Sequence, residues 1–177
     1  MPSEEQIQVI LVDENDRQIG TMGKIAAHSN GATLHRAFSI FVFNSKGETL
    51  LQRRAMEKYH SKGVWSNTCC SHPYVGESII DAAHRRLKEE FGFDCNLKEH
   101  FSFIYKTNVG NGLTEHEFDH ILTGIYEGEI KPNPEEIMDY KWITPQDLLN
   151  EMERNPQSYT LWMKIGIEKL IERGIKN

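Results

Sequence analysis

The chain has 177 residues and a formal net charge of -6, from 20 Lys and Arg against 26 Asp and Glu. That length suits one domain, 1–177, with a core of its own, and the acidic balance, with a pI near 5.8, excludes the broad basic surface that nonspecific nucleic-acid binding needs. Three cysteines cannot all pair, the opening MPSEEQIQVILVDEN lacks the regions of a signal peptide, and no apolar run approaches the roughly 20 residues of a membrane span; the expectation is a reduced, cytoplasmic monomer with no membrane or nucleic-acid partner.

In chain order, Ile7 to Val12 alternates weakly before turn residues 13–16 and predicts a short edge strand. Lys24 to His28 (KIAAH) meets a Ser-Asn-Gly turn and predicts a loop or single helical turn. Leu34 to Phe43 (LHRAFSIFVF) is aromatic and β-branched, and with Glu48 to Arg54 it brackets Asn44, Ser45, Lys46 and Gly47, a hairpin signal. Residues 68–73 (TCCSHP) hold adjacent cysteines, which almost never bond to each other because the small ring is strained. In a strand, side chains two apart share a face, so Cys70 and His72 look into one pocket and Cys69 looks away. Ser78 with Asp81 resembles a capping box ahead of a helix with Ile80, Ala83, Leu87 and Phe91 on one face and Gly92 as its stop. Phe101 to Thr107 and Glu117 to Tyr126 predict strands joined by a turn at Gly110, Asn111 and Gly112, and Tyr140 to Ile143 a further short strand. Pro145 suits the first turn of a helix through about Glu153. Ser158 to Arg173 predicts a last helix with its apolar face at Leu161, Ile165, Ile167 or Glu168, and Ile171. Strands from both halves around a central helix give the fold class α/β (α+β), a mixed sheet packed between helices.

Two sets of residues carry chemistry. His28, His35 and His72 come from separate segments, while Glu115 and Glu117 are two apart and project from one strand face. Three imidazoles and two carboxylates leave one vacancy on an octahedral divalent ion, with Mn2+, Mg2+ or Zn2+ all suited. Each histidine alone is more often a core or surface residue, and His60, His84, His100, His116 and His120 receive only that reading. Arg86 and Glu90 are four apart on one helix face, which serves either a surface ion pair or a phosphate oxygen beside its magnesium.

The segment from Glu77 to Phe93 resembles the Nudix box: Glu77, Arg85, Leu87, Glu89, Glu90, Gly92 and Phe93 match in register. Ser71 stands where that pattern has its first glycine, and Arg86 where it has the first glutamate of its metal cluster. Exchanging an acid for a cation counts against the hydrolytic chemistry of most such proteins. A second resemblance covers nearly the whole chain, from KIAAH and LHRAFSIFVFN through QRRA, GVWSNTCCSHP and EEFG to TEHEFDH and PQSYTLWM, and it is to the type 1 isopentenyl diphosphate isomerases of isoprenoid synthesis.

The second resemblance implies a Nudix-like fold and the interconversion of isopentenyl and dimethylallyl diphosphate through a tertiary carbocation. It implies Cys70 and Glu117 as the proton-transfer groups, Tyr105 as partner of Glu117, and Trp162 as the ring facing the cation. It implies His28, His35, His72, Glu115 and Glu117 as ligands of one divalent ion, Glu90 as ligand of the Mg2+ that accompanies the diphosphate, and Lys24, Arg54, Lys58 and Arg86 as the clamp on that anion. The helix bearing Trp162 is expected to act as a lid, and the loop from Met56 to Lys62 to close over the diphosphate. Two rival readings stand beside this one: a Nudix hydrolase of a nucleoside diphosphate derivative, and a noncatalytic metal-stabilised binding domain.

Overall fold

The structure, a computed structural model, describes residues 6–29 and 31–175; the extreme N-terminus and Asn30 of the expected turn lie outside them. The strands are β1 (Gln8–Val12), β2 (Gln18–Gly23), β3 (His35–Phe43), β4 (Thr49–Arg54), β5 (Trp65–Ser66), β6 (Cys69–Ser71), β7 (Leu97–Gly110), β8 (Leu113–Ile125) and β9 (Ile137–Ile143). The helices are α1 (Lys24–His28), α2 (Ile79–Phe91), α3 (Pro145–Arg154) and α4 (Leu161–Glu172), with a 3-10 turn at Pro156–Ser158. No helix among the described residues is long and apolar enough to cross a membrane.

Strand β3 organises the sheet. It runs parallel to β8, with His35 opposite Glu117 and Phe43 opposite Ile125, and antiparallel to β6, with Ser39 opposite Cys70 and Ile40 opposite Cys69. Paired residues share a face and neighbours alternate, so the register sorts the core into two layers. Phe38, Ile40, Val42, Cys69 and Leu122 pack under α2 with Ala82, Ala83 and Leu87. Phe41, Phe43 and Ile121 pack on the opposite side with Leu148 and Met152 of α3 and Met163, Ile167 and Leu170 of α4. Cys70 packs against this second layer. The mixed sheet between helices is therefore as expected, and so is the opposite facing of the two cysteines.

Several local expectations are corrected. β1 is internal, because β2, which has no apolar alternation, takes the edge position beside it. The β3–β4 hairpin parts after one register pair, Phe43 with Thr49, since β3 turns to β6 and β8 while β4 pairs with β9 and β5. Helix α2 is capped as expected: the Asp81 N–H donates to Ser78 Oγ at 3.1 Å, and Gly92 closes the helix at φ 70°. A Cβ on Gly92 would also meet the Lys131 carbonyl oxygen at 2.8 Å. Ile80, however, is exposed, and Ile79 packs against the core in its place.

The last helix meets the expectation at Ile165 and Ile167, which pack on the second core layer, but not at its two ends. Leu161 and Ile171 face solvent, whereas Trp162, Met163, Gly166, Ile167 and Leu170 are buried. Helix α4 forms one wall of the second core layer and brings Trp162 to the cavity. Gly166 lets it sit directly on the Phe41 ring, where an added Cβ would come within 2.8 Å of Cζ. Phe41 is fully buried and cannot swing away. Gly166→Ala is expected to lower stability by up to about 2 kcal/mol, an overpacking cost of about 1–3 kcal/mol less a helix-propensity gain of about 1 kcal/mol; urea unfolding measures it, and a stabilised variant would refute this packing.

Candidate active site

A cavity of about 350 Å³ opens beside the end of β3 and gathers residues from most of the chain. Lys24, Arg54, Lys58 and Arg86 line it, together with Cys70, His72, Tyr105, Glu115, Glu117 and Trp162. The β3–β8 register explains the deep end, since it sets His35 beside Glu117, and the β7–β8 register sets Tyr105 opposite the same glutamate.

His28, His35, His72, Glu115 and Glu117 are all buried, and one ligand atom from each lies within 4.8 Å of every other. His28 Nδ1 donates to the Lys24 carbonyl at 2.6 Å and His35 Nδ1 to the Thr33 carbonyl at 2.8 Å. A carbonyl only accepts, so both rings carry their proton on Nδ1 and turn Nε2 inward. There His28 Nε2 lies 2.9 Å from Glu115 Oε2, His35 Nε2 lies 3.2 Å from His72 Nε2, and His72 Nε2 lies 2.9 Å from Glu117 Oε1. Burial holds the His72 imidazole down at about 4, against the pull of Glu117, so it is neutral at physiological pH. Imidazole nitrogens and carboxylate oxygens converging in one buried pocket fit a shared divalent cation.

Above this cluster stand the groups suited to proton transfer. Burial pushes the Cys70 thiol up to about 12 despite the nearby Arg54 guanidinium, so it keeps its proton at neutral pH. Tyr105 Oη donates to Glu117 Oε2 at 2.6 Å, and burial with the charge of Glu117 holds the phenol protonated. Burial and Glu115 push the Glu117 carboxyl up, yet bonds to His35 and His72 bring it below its ordinary range. Trp162 is fixed by its indole N–H donating to Ser66 Oγ at 3.1 Å, with the Arg54 guanidinium 5.8 Å from the ring centroid.

The cationic rim is tied to acids. Lys58 Nζ lies 2.6 Å from Glu136, and Arg86 reaches Glu89 at 2.7 Å, Glu90 at 2.6 Å and Glu136 at 3.1 Å. Glu90 sits behind Arg86, 3% exposed, and also accepts bonds from Gln52 at 2.8 Å and Cys69 Sγ at 3.3 Å. The acids lining the cavity are Glu57, Glu115, Glu117, Glu135 and Glu136.

Sequence reasoning passed over three residues here. Glu136 binds two of the expected clamp cations, yet nothing local marks it. Asp119, fully buried, accepts from Ser39 Oγ at 2.9 Å and is held well above its ordinary range by burial and by Glu117; its place two residues after Glu117 was the available signal. His60, read as structural only, is buried and lines the cavity.

Comparison with known proteins decides the family. The NUDIX domain family matches residues 33–163. Isopentenyl-diphosphate Delta-isomerase 2 of Aromatoleum aromaticum is 52% identical over 164 residues, 93% of this chain and 86% of that protein. The protein of the same name from Photorhabdus laumondii is 51% identical over 95% of this chain and 94% of its own length. The chain belongs to the isopentenyl-diphosphate Delta-isomerase family. Solved structures similar to this one share its fold: a Deinococcus radiodurans protein at TM-score 0.69 and 20% identity, covering 84% of this chain and 90% of that one, and the MutT protein of Methanosarcina mazei at 0.67 and 16%, covering 81% and 96%.

The ion-pair network of this family member has a pH signature. Burial raises the Glu136 carboxyl, but Lys58 and Arg86 overcome it and bring the group to about 2 from an ordinary 4.5. A carboxyl with a depressed folded pKa stabilises the fold above its unfolded pKa and loses that contribution as pH falls through the folded one. Parent minus Glu136→Gln should therefore be on the order of 3 kcal/mol above pH 5 and close between about pH 4.5 and 2. Urea unfolding of both proteins across that range checks it, and a difference that does not depend on pH would contradict it.

Proposed function

We propose that this chain interconverts isopentenyl diphosphate and dimethylallyl diphosphate, working as a cytoplasmic monomer in isoprenoid synthesis. The observation that carries the reading is a single cavity with a protonated thiol, a carboxylate held by a phenol, an indole wall and a cationic rim. An alkene is a very weak base, so isomerisation needs a proton added at one carbon and another removed two carbons away. Protonation of the terminal methylene carbon spends the π bond and leaves a tertiary cation at the branched carbon. Loss of a proton from the carbon next to it turns that C–H electron pair into the new double bond, and no atom is gained or lost overall. Cys70 and Glu117 are the pair for these two transfers, one giving and the other accepting.

Tyr105 holds Glu117 in position and stays protonated beside it. Trp162 offers a ring face to the cation, worth roughly 2 kcal/mol when desolvated, and brings no nucleophile that would trap it. Burial of this end of the cavity keeps out water, which would capture the cation. Lys24, Arg54, Lys58 and Arg86 bind the diphosphate, whose binding energy orients a five-carbon tail with few handles of its own. His28, His35, His72, Glu115 and Glu117 would hold one divalent ion, Mn2+, Mg2+ or Zn2+, and Glu90, the carboxylate behind Arg86, would be the ligand of the Mg2+ that enters with the diphosphate. When bound, these ions supply positive charge that orients Glu117 and adjusts its proton affinity, and that neutralises the anion.

The hydrolase reading is weaker, because Arg86 occupies a position of the Nudix acidic cluster and is bound to Glu89 and Glu90. Parallel incubations with Mg2+ separate the two. The expected result is the allylic isomer from isopentenyl diphosphate with no phosphate released from a nucleoside diphosphate derivative; phosphate release without isomerisation would sink the proposal.

A further inference from the structure

His60 stands outside the set of residues assigned above, yet its ring is built into the cavity wall. It is 3% exposed, its Nε2 lies 2.9 Å from Glu115 Oε1, and its Nδ1 lies 3.0 Å from Ser61 Oγ. Glu115 Oε1 accepts only, so His60 carries its proton on Nε2 and its Nδ1 receives the Ser61 hydroxyl. The two oxygens of Glu115 are thereby divided: Oε1 is held by His60, and Oε2 faces His28 within the cluster. The same ring meets Trp162 edge-on at 6.1 Å. Its backbone is held independently, since the Arg54 guanidinium donates to the carbonyls of His60 at 3.2 Å and Ser61 at 3.1 Å.

We infer that His60 is a positioning residue for Glu115, committing one carboxylate oxygen so that the other is presented singly to the His28, His35, His72 and Glu117 ligand set. A free carboxylate would rotate and lose entropy on binding, or take an ion through both oxygens and disturb the geometry of its four neighbours. With His60 in place that choice is made before the ion arrives. The inference rests on the metal reading of the cluster. Partners of this kind typically affect metal affinity by 10–100-fold.

The test is a Mn2+ titration of the metal-stripped protein, with free Mn2+ followed by its electron paramagnetic resonance signal, alongside KM for isopentenyl diphosphate. His60→Ala is expected to bind Mn2+ about 10–100-fold more weakly. His60→Gln, whose amide nitrogen can reach the same oxygen, should recover affinity to within about threefold of the parent. KM should stay within about threefold in both, because Arg54 holds backbone carbonyls that survive either substitution. If the alanine variant does not fold, His60→Leu fills the space without a donor and carries the same expectation. Unchanged Mn2+ affinity in the alanine or leucine variant would overturn the inference, as would equal weakening in the glutamine variant. Failure of the parent itself to bind Mn2+ would instead remove the metal reading, and the inference with it.

Discussion

Replacing Cys70 by alanine should lower kcat for isopentenyl diphosphate by about 10³-fold, the usual worth of a positioned acid or base. KM should remain within about threefold, because the diphosphate clamp does not involve the thiol. The adjacent cysteine is the internal control. Cys69 points to the other side of the sheet, where it is fully buried and donates to Glu90 at 3.3 Å. Cys69→Ala should cost stability of order 1 kcal/mol through a small void and a weak lost bond, while turnover stays within about threefold of the parent. Steady-state kinetics and urea unfolding on both variants read the contrast. Equal loss of turnover in the two would mean that the thiol role is misassigned.

Glu117→Gln should be at least as damaging, with kcat reduced by about 10³–10⁴-fold. The amide keeps the shape of the carboxylate and still accepts from Tyr105 Oη, so the β7–β8 pairing at Tyr105 and Glu117 has no reason to change. What it loses is the ability to exchange a proton with carbon and one negative charge facing His72. Mn2+ affinity should therefore fall as well, which separates this variant from Cys70→Ala, where affinity should be kept. A glutamine variant with more than about one-tenth of parental turnover would show that another group performs the transfer.

Much of this architecture is legible locally. The aromatic and β-branched run ending at Phe43, the Ser78 cap, the Gly92 stop and Pro145 opening α3 each act within a few residues, and each element forms where it was expected. Alternation through Cys69, Cys70 and His72 even assigned the two thiols to their faces. The misses share a long-range cause. β2 carries little apolar signal and is held by β1, and β3 and β4 part because distant strands compete for their edges. The face of α4 was right at Ile165 and Ile167 and wrong at Leu161 and Ile171, because part of its buried side is Gly166, a residue with no hydrophobic signal, set close against Phe41.

At the site, residue types were readable from family motifs, but the partners were not. His28 meets Glu115 across 87 positions and Arg86 meets Glu136 across 50. His60 was discounted for the same reason: its bond to Glu115 exists only once the loop after β4 is folded against β8. Glu90 was within reach of Arg86 on one helix face, but Glu136, the acid that Lys58 and Arg86 share, came into view only with the segment leading into β9 in place.

Proton exchange at carbon is the central claim, and heavy water tests it directly. The protein is incubated with isopentenyl diphosphate and Mg2+ in D2O and followed by proton, deuterium and phosphorus nuclear magnetic resonance. The account predicts dimethylallyl diphosphate with deuterium in the methyl group formed from the former methylene, and phosphorus signals that remain those of an intact diphosphate. Isomer formed without deuterium, or cleavage of the diphosphate with the alkene unmoved, would contradict it.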